Sequence, residues 1–324
     1  MLYRMARWAL ATLAAVAIGT SLAHAEPGYP NRPVRIIVPY GPGGVADVTT
    51  RMVAQKLSER LGQQFVVDNR PGAAGAIAAD ALVRASPDGY VLLLAESGAL
   101  IVPAVNPKAG YDPVKQFAPV AGVCLLPLAI VVSPGFPASN ARELIAALKA
   151  NPGKHSYASP GIGTLQHLAF ELFKRSAGVD AVHVPYKGAS AMMPDLMSGQ
   201  VEIGAISALV AVAQSRAGKI KLLAVTSAQR LPGAPEVPAL AETLPGFDAS
   251  PNVFLVAPVG TPGPVVARLA EAVAGALAAK DVQESFSKQG ATATPARPEE
   301  LGRAIAAETA RWAGVVKDAA IKAE

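Results

Sequence analysis

A short run of branched apolar residues, a loop of Gly, Pro and Ala, then a stretch with helical spacing: this unit recurs along most of the chain. It leaves few folds open to it. Residues 34–39 form the first run, read as a buried strand. The loop 40–46 follows, and Asp47 opens a helix as its N-cap, with Val48, Met52, Leu57 and Leu61 near the helical period and Gly62 ending it. Residues 65–67 and 90–94 repeat the pattern, with small-residue loops at 69–76 and 96–99 and a Pro87-Asp88-Gly89 turn between them. After Pro127 the series restarts. Strands are expected at 128–132, 156–158, 182–184, 201–206 and 220–225, and Asn140 with Glu143 reads as a capping box. Residues 252–257 resemble a strand of the first set, and most of the chain from Pro262 reads as helix. Strands alternating with helices imply an α/β fold with covered, parallel-rich sheets. Two sets split near 126, with a return near 250, imply two lobes: 26–126 with 251–324, and 127–250.

The first 25 residues stand apart. Arg4 and Arg7 precede an apolar stretch of 11 residues, 8–18, and Ala23-His24-Ala25 is a small-x-small cleavage pattern. That core is shorter than the roughly 20 apolar residues a membrane helix needs. A signal peptide cleaved after Ala25 is expected, with a periplasmic mature chain that is not inserted in the membrane. The leader removes two of 29 basic residues, leaving 27 against 24 acidic, a balance of +3. Such a balance, with basic residues scattered, gives no reason to expect nucleic acid. Cys124 is the single cysteine and sits in an apolar run, so neither a disulfide nor a Cys-based metal site is expected.

In open α/β sheets, ligands bind beyond the carboxyl ends of the strands. Three loops there have the right character: Gly41-Pro42-Gly43-Gly44, Pro71-Gly72-Ala73-Ala74-Gly75 and Ser159-Pro160-Gly161-Ile162-Gly163-Thr164. Each leads into a helix, whose free first-turn amides and dipole favour an anion without any fixed positive charge. Tight strand-to-helix reversals also require glycine, so the loops gain meaning from occurring in both halves. Catalytic patterns are lacking: no Gly-x-Ser-x-Gly, His-Glu-x-x-His or Walker lysine occurs. No catalytic residue, metal or cofactor is expected; Ser159 with His167 is the one pair a hydrolase reading can offer. His183 reads as structural.

Nine short motifs then appear in order across about 230 residues. They are Tyr-Pro-Asn-Arg-Pro from Tyr29, Val-Pro-Tyr-Gly-Pro-Gly-Gly from Val38, Asp-Asn-Arg-Pro-Gly from Asp68, Pro-Asp-Gly-Tyr from Pro87, Tyr-Asp-Pro from Tyr111, Asn-Pro-Gly-Lys from Asn151, His-Val-Pro-Tyr-Lys-Gly from His183, Ala-Val-Thr-Ser from Ala224 and Pro-Val-Gly-Thr-Pro from Pro258. The mature chain resembles the solute receptors of tripartite tricarboxylate transporters, the Bug-type receptors. The resemblance implies a type II periplasmic-binding-protein fold with a cleft between two lobes. It implies a small organic carboxylate held by loop amides and hydroxyls, and delivery to membrane transporter subunits or, in some members, a signal to a sensor kinase. A monomer is expected. The implied contacts are Tyr40, Gly43, Gly44, Val45, Ala46 and Asp47, with Ala74, Ala76 and Ser97, on the first lobe. On the second they are Ser159, Gly161, Gly163, Thr164 and His167, with Tyr186 and Ile206.

Departures from the family pattern bear on the ligand. Relatives usually carry Ser-Thr where this chain has Val45-Ala46, Gly and Asn at Ala74 and Ala76, and Phe-Asp at Ala205-Ile206. Their Gly-Thr-x-Gly-Thr-His stretch is Ala95-Glu96-Ser97-Gly98-Ala99-Leu100 here. A buried ligand group left without a partner costs about 1–3 kcal/mol. The expected ligand is therefore less polar than citrate, a monocarboxylic or aromatic acid. Glu96, if it faces the cleft, repels a second carboxylate or accepts a donor.

Overall fold

The structure, a computed structural model, describes residues 28–321. The expected leader, with its cleavage after Ala25, lies outside the described residues. The first stretch forms β1 (Val34–Val38), α1 (Val45–Leu61), β2 (Phe65–Asn69), α2 (Ala76–Val83), β3 (Val91–Glu96), α3 (Ser97–Val105), the single turn α4 (Pro113–Gln116) and β4 (Phe117–Leu125). The middle forms β5 (Leu128–Val132), α5 (Ala141–Ala150), β6 (Ser156–Ser159), α6 (Leu165–Ala177), β7 (Val182–Pro185), α7 (Ala189–Ser198), β8 (Ile203–Ser207), α8 (Ala208–Arg216) and β9 (Lys221–Val225). The last stretch forms β10 (Asn252–Pro258), α9 (Gly263–Leu277), α10 (Lys280–Lys288), β11 (Thr292–Ala293) and α11 (Pro298–Asp318).

Two sheets result, ordered β11-β4-β10-β3-β1-β2 and β7-β6-β8-β5-β9. Strands linked through helices pair in parallel: β1 with β2 and β3, and β6 with β7 and β8. The strands that carry the chain between sheets run the other way. β10 is antiparallel to β3 and β4, and β5 to β8 and β9. The sheets are thus mixed, because no crossover helix dictates the direction of these strands. The two crossings lie side by side, with the Leu126 amide donating to the Pro251 carbonyl at 3.0 Å.

Both faces of each sheet are covered. Ile36, Val38, Leu92 and Leu94 pack with Val53, Leu57, Leu269 and Val273 of α1 and α9. Ile37, Leu93 and Ala95 pack on the other side with Leu82, Leu100, Leu301 and Ile305. In the second sheet Ile130, Val132 and Tyr157 face Leu168, Phe170 and Phe173, while Ala129 and Val131 face Met192 and Leu196. This explains the near-continuous apolar runs of the central strands. Helix α11 serves both cores: Leu301 and Ile305 join the first, Trp312, Val315 and Val316 the second. Trp312 is fully buried, and its indole N–H donates to Glu308 Oε1 at 3.0 Å.

Two local readings are corrected and one strand is added. Helix α1 starts at Val45 with Gly44 as N-cap, so Asp47 is its third residue and not the cap. The expected loop at 96–99 is the end of β3 running directly into α3, because Ala99, Leu100, Ile101 and Val102 are buried and reward a helix there. Strand β4 carries Pro119 and Gly122, which mask its period in the sequence.

Candidate functional site

The carboxyl ends of β1, β3, β6 and β8 converge on one cavity of about 530 Å³ between the two sheets. That lies within the roughly 300–1,000 Å³ typical of small-molecule sites. Four helices begin at its wall: Val45 of α1, Gly98 of α3, Leu165 and Gln166 of α6, and Ser207 at the cap of α8. The first intrahelical bonds of α1 and α6 are Val48 N to Gly44 O and Leu168 N to Thr164 O, so the amides before them have no intrahelical partner. Their positive ends make the cavity receptive to an anion. Among the described residues lining it, Glu96 is the one charged side chain. A larger hollow of about 810 Å³ lies against Tyr29, Tyr90 and the first turns of α9, at the amino ends of β1 and β3, away from the carboxyl ends where open α/β sheets bind ligands.

The first wall is fixed by Asp47. Its carboxylate accepts from Gly43 N at 2.9 Å, Arg51 Nε at 2.9 Å and Asn69 Nδ2 at 2.8 Å. Asn69 Nδ2 also reaches the Tyr40 carbonyl at 3.0 Å, so the glycine loop, α1 and the end of β2 are tied to one buried group. The Arg51 hydrogen bond above all holds the Asp47 carboxyl down at about 2.

The second wall is fixed by two histidines. Thr164 caps α6, accepting from His167 N at 3.4 Å and donating to Gly161 O at 2.7 Å. His167 is buried, and its Nδ1 accepts from Gly163 N at 3.1 Å. Its ring stacks on His183 at 3.8 Å between centroids. Burial, then the neighbouring His183, holds His167 down at about 3, and burial holds His183 at about 4, so both rings are neutral at neutral pH. Ser159 is fully buried, and its hydroxyl meets His183 Nε2 at 2.7 Å rather than His167. The serine–histidine pair offered by the sequence is therefore replaced by another, placed inside the wall. Among the described residues no cluster of His, Cys, Asp and Glu is arranged to hold a metal ion.

Of the expected contacts, Tyr40, Val45, Gly163 and Thr164 line the cavity. Gly43 and Gly44 are exposed on the same loop, while Ala46 and Asp47 are buried behind it. Ala74 lies in the 3₁₀ turn Ala73–Gly75 and Ala76 at the start of α2, beside the lining residues Gly72 and Gly75. Ser97 is buried and its Oγ accepts from Asn252 N at 3.0 Å. Gly161 braces Thr164 from outside the cavity, and Tyr186 turns away to donate to Asp195 Oδ2 at 2.7 Å. Ile206 is buried against the core under α7 and α8, and the next residue, Ser207, reaches the cavity instead. Gln166, within the implied stretch from Ser159 to His167, lines it too, and the lining adds Ser207, Gln289 and Gly290, which the sequence left unmarked. Gln289 and Gly290 carry no local signal, since they come from the loop between α10 and β11.

With this geometry in hand, the relatives are informative. The family described as the tripartite tricarboxylate transporter family receptor matches residues 49–321. The chain belongs to that family. It is 37% identical over 297 residues to protein BugT of Bordetella pertussis, covering 91% of each chain. Rpa4515 of R. palustris, solved with adipate, superposes with a TM-score of 0.77 at 34% identity, over 91% of this chain and 99% of that one. MatC of Rhodopseudomonas palustris, solved with bound malate, gives 0.73 at 32% identity, over 89% and 100%. The protein is thus a solute-binding receptor of the two-lobe periplasmic type, and family and neighbours alike are binding proteins rather than enzymes. Among the described residues no helix is long and apolar enough to cross a membrane.

Proposed function

We propose that the cavity between the two sheets captures a small organic monocarboxylate or aromatic acid, less polar than citrate, for hand-over to membrane transporter subunits. The supporting observation is the convergence of four helix starts on a cavity whose described lining holds no cationic side chain. Such a wall takes a carboxylate through amides, which releases it more readily than a buried ion pair. Pro39, Val45, Val102, Leu126 and Leu128 supply apolar surface for the rest of the ligand. The residues proposed as contacts are Tyr40, Val45, Gly163, Thr164, Leu165, Gln166 and Ser207. Relatives solved with adipate and malate agree with a carboxylate, and the apolar Val45 favours one with fewer charges.

The test is a thermal-shift screen of the purified protein, unfolded and refolded to strip carried-over ligand, against mono-, di- and tricarboxylates and aromatic acids. A ligand at 100 times its dissociation constant stabilises the fold by about 2.7 kcal/mol. The expected hits are mono- or aromatic acids. A response confined to citrate-like acids overturns the ligand class, and no response to any acid overturns carboxylate capture.

A further inference from the structure

Among the described residues, Glu96 is the one charged side chain in the lining, and none of them pairs with its carboxylate. It ends β3 and stands at the cap of α3, partly open to the cavity, but its carboxylate makes no cap hydrogen bond. The titratable groups packed near it add nothing positive. They are Glu308 on α11 and Cys124 on β4, the latter fully buried. Glu308 is itself occupied, accepting from Asn252 Nδ2 at 2.9 Å and Trp312 Nε1 at 3.0 Å, with the Arg311 guanidinium 3.9 Å from it. Val102, Leu126 and Leu128 line the same cavity.

Resting on the carboxylate reading above, we propose that Glu96 is a specificity residue that selects ligands carrying a positively charged nitrogen in addition to their carboxylate. The ligand carboxylate docks on the helix starts of α1 and α6, and its ammonium group pairs with Glu96. A desolvated carboxylate without a partner is costly, and an ion pair with further hydrogen bonds removes that cost. A dicarboxylate brings a like charge to the same place. A purely apolar tail leaves Glu96 buried and unmatched. Burial, with Glu308 behind it, pushes the Glu96 carboxyl up to about 7, as expected for a carboxylate that has no cation until one arrives with the ligand.

Isothermal titration of the refolded protein decides the matter with length-matched sets, for example 4-aminobutyrate, butyrate and succinate, extended to longer homologues, α-amino acids and hydroxy acids. At pH 8 the nitrogen-bearing acid of the best set should bind at least tenfold tighter than its monocarboxylate and dicarboxylate partners. In Glu96→Gln that advantage should vanish, while the ligand-free protein gains thermal stability because an unpaired charge is gone. Lowering the pH to 5.5 should strengthen dicarboxylate binding to the wild type and leave Glu96→Gln unmoved. Tightest binding by a dicarboxylate, hydroxy acid or simple monocarboxylate at pH 8, or an amine preference that survives in Glu96→Gln, overturns the proposal while leaving carboxylate capture standing. If no carboxylate binds, the underlying reading falls and this one with it.

Discussion

Replacing Asp47 with Ala removes the group that binds three segments of the first wall. Gly43 N, Arg51 Nε and Asn69 Nδ2 all lose their acceptor. The three losses are unequal. The Arg51 side chain is half exposed and is rehydrated, so its ion pair contributes about 0–1 kcal/mol. Gly43 is exposed, and its amide also recovers water. Asn69 keeps the Tyr40 carbonyl but loses a partner in a part-buried setting, at about 1–3 kcal/mol. The sum is about 1–4 kcal/mol. At roughly 2–4 °C per kcal/mol for a chain of this size, the melting temperature should fall by about 2–16 °C. The pH dependence tests the cause. Asp47 is held at about 2 against an ordinary 3.8, so it stabilises the fold fully above pH 3.8 and the contribution is lost as pH falls toward 2. The gap between wild type and Asp47→Ala should stay constant from pH 8 to 5 and close below 4. Calorimetric melts over that range measure it, with Asp47→Asn expected in between. A gap under about 0.5 kcal/mol, or one unchanged at pH 2.5, refutes the argument.

Gly290 touches Leu209 across the cleft: a Cβ there would lie 2.9 Å from Leu209 Cβ, on a backbone with φ of +69°. Gly290→Ala should therefore cost about 2–4 kcal/mol, from the left-handed backbone and the overlap together. Combining it with Leu209→Gly, which removes that Cβ, should recover the steric share relative to Leu209→Gly alone in urea titrations, and a Gly290→Ala protein as stable as wild type contradicts the contact. His167 and His183 are neutral in the fold with values lowered from 6.5, so stability should fall as pH drops from 6.5 toward 4.5. The double substitution to Gln should flatten that limb of the stability–pH curve; an unchanged slope assigns it to other groups. Burial, with Glu96 nearby, pushes the Cys124 thiol up to about 12, so thiol reagents at pH 8 should modify it only after unfolding. Rapid labelling of the native protein would contradict its position in the core.

The sequence by itself determined what is local. Branched runs, small-residue loops and capping residues set the order of β1, α1, β2 and of β5 through β9, because period and turn chemistry act within a few residues. The restart near residue 127 and the return near 250 mark where the chain leaves one sheet for the other. The glycine loops lead to cavity residues Tyr40, Val45, Gly163 and Thr164, since an open α/β sheet offers ligands only the carboxyl ends of its strands. The tertiary structure alone decided the rest. Asp47 reads as a cap because Asp commonly caps helices, but the chain's path puts Gly44 there and turns the carboxylate back onto Gly43 and Asn69. Ser159 finds His183 and not His167 because β6 and β7 run side by side, a neighbour relation without trace in sequence distance. Ser207 replaces Ile206 at the cavity because one step along a strand reverses the face. Gln289 and Gly290 reach the cleft from the far end of the chain, and α11 threads both cores. Contacts between distant segments form where the sum of burial is greatest, and no single segment carries that sum.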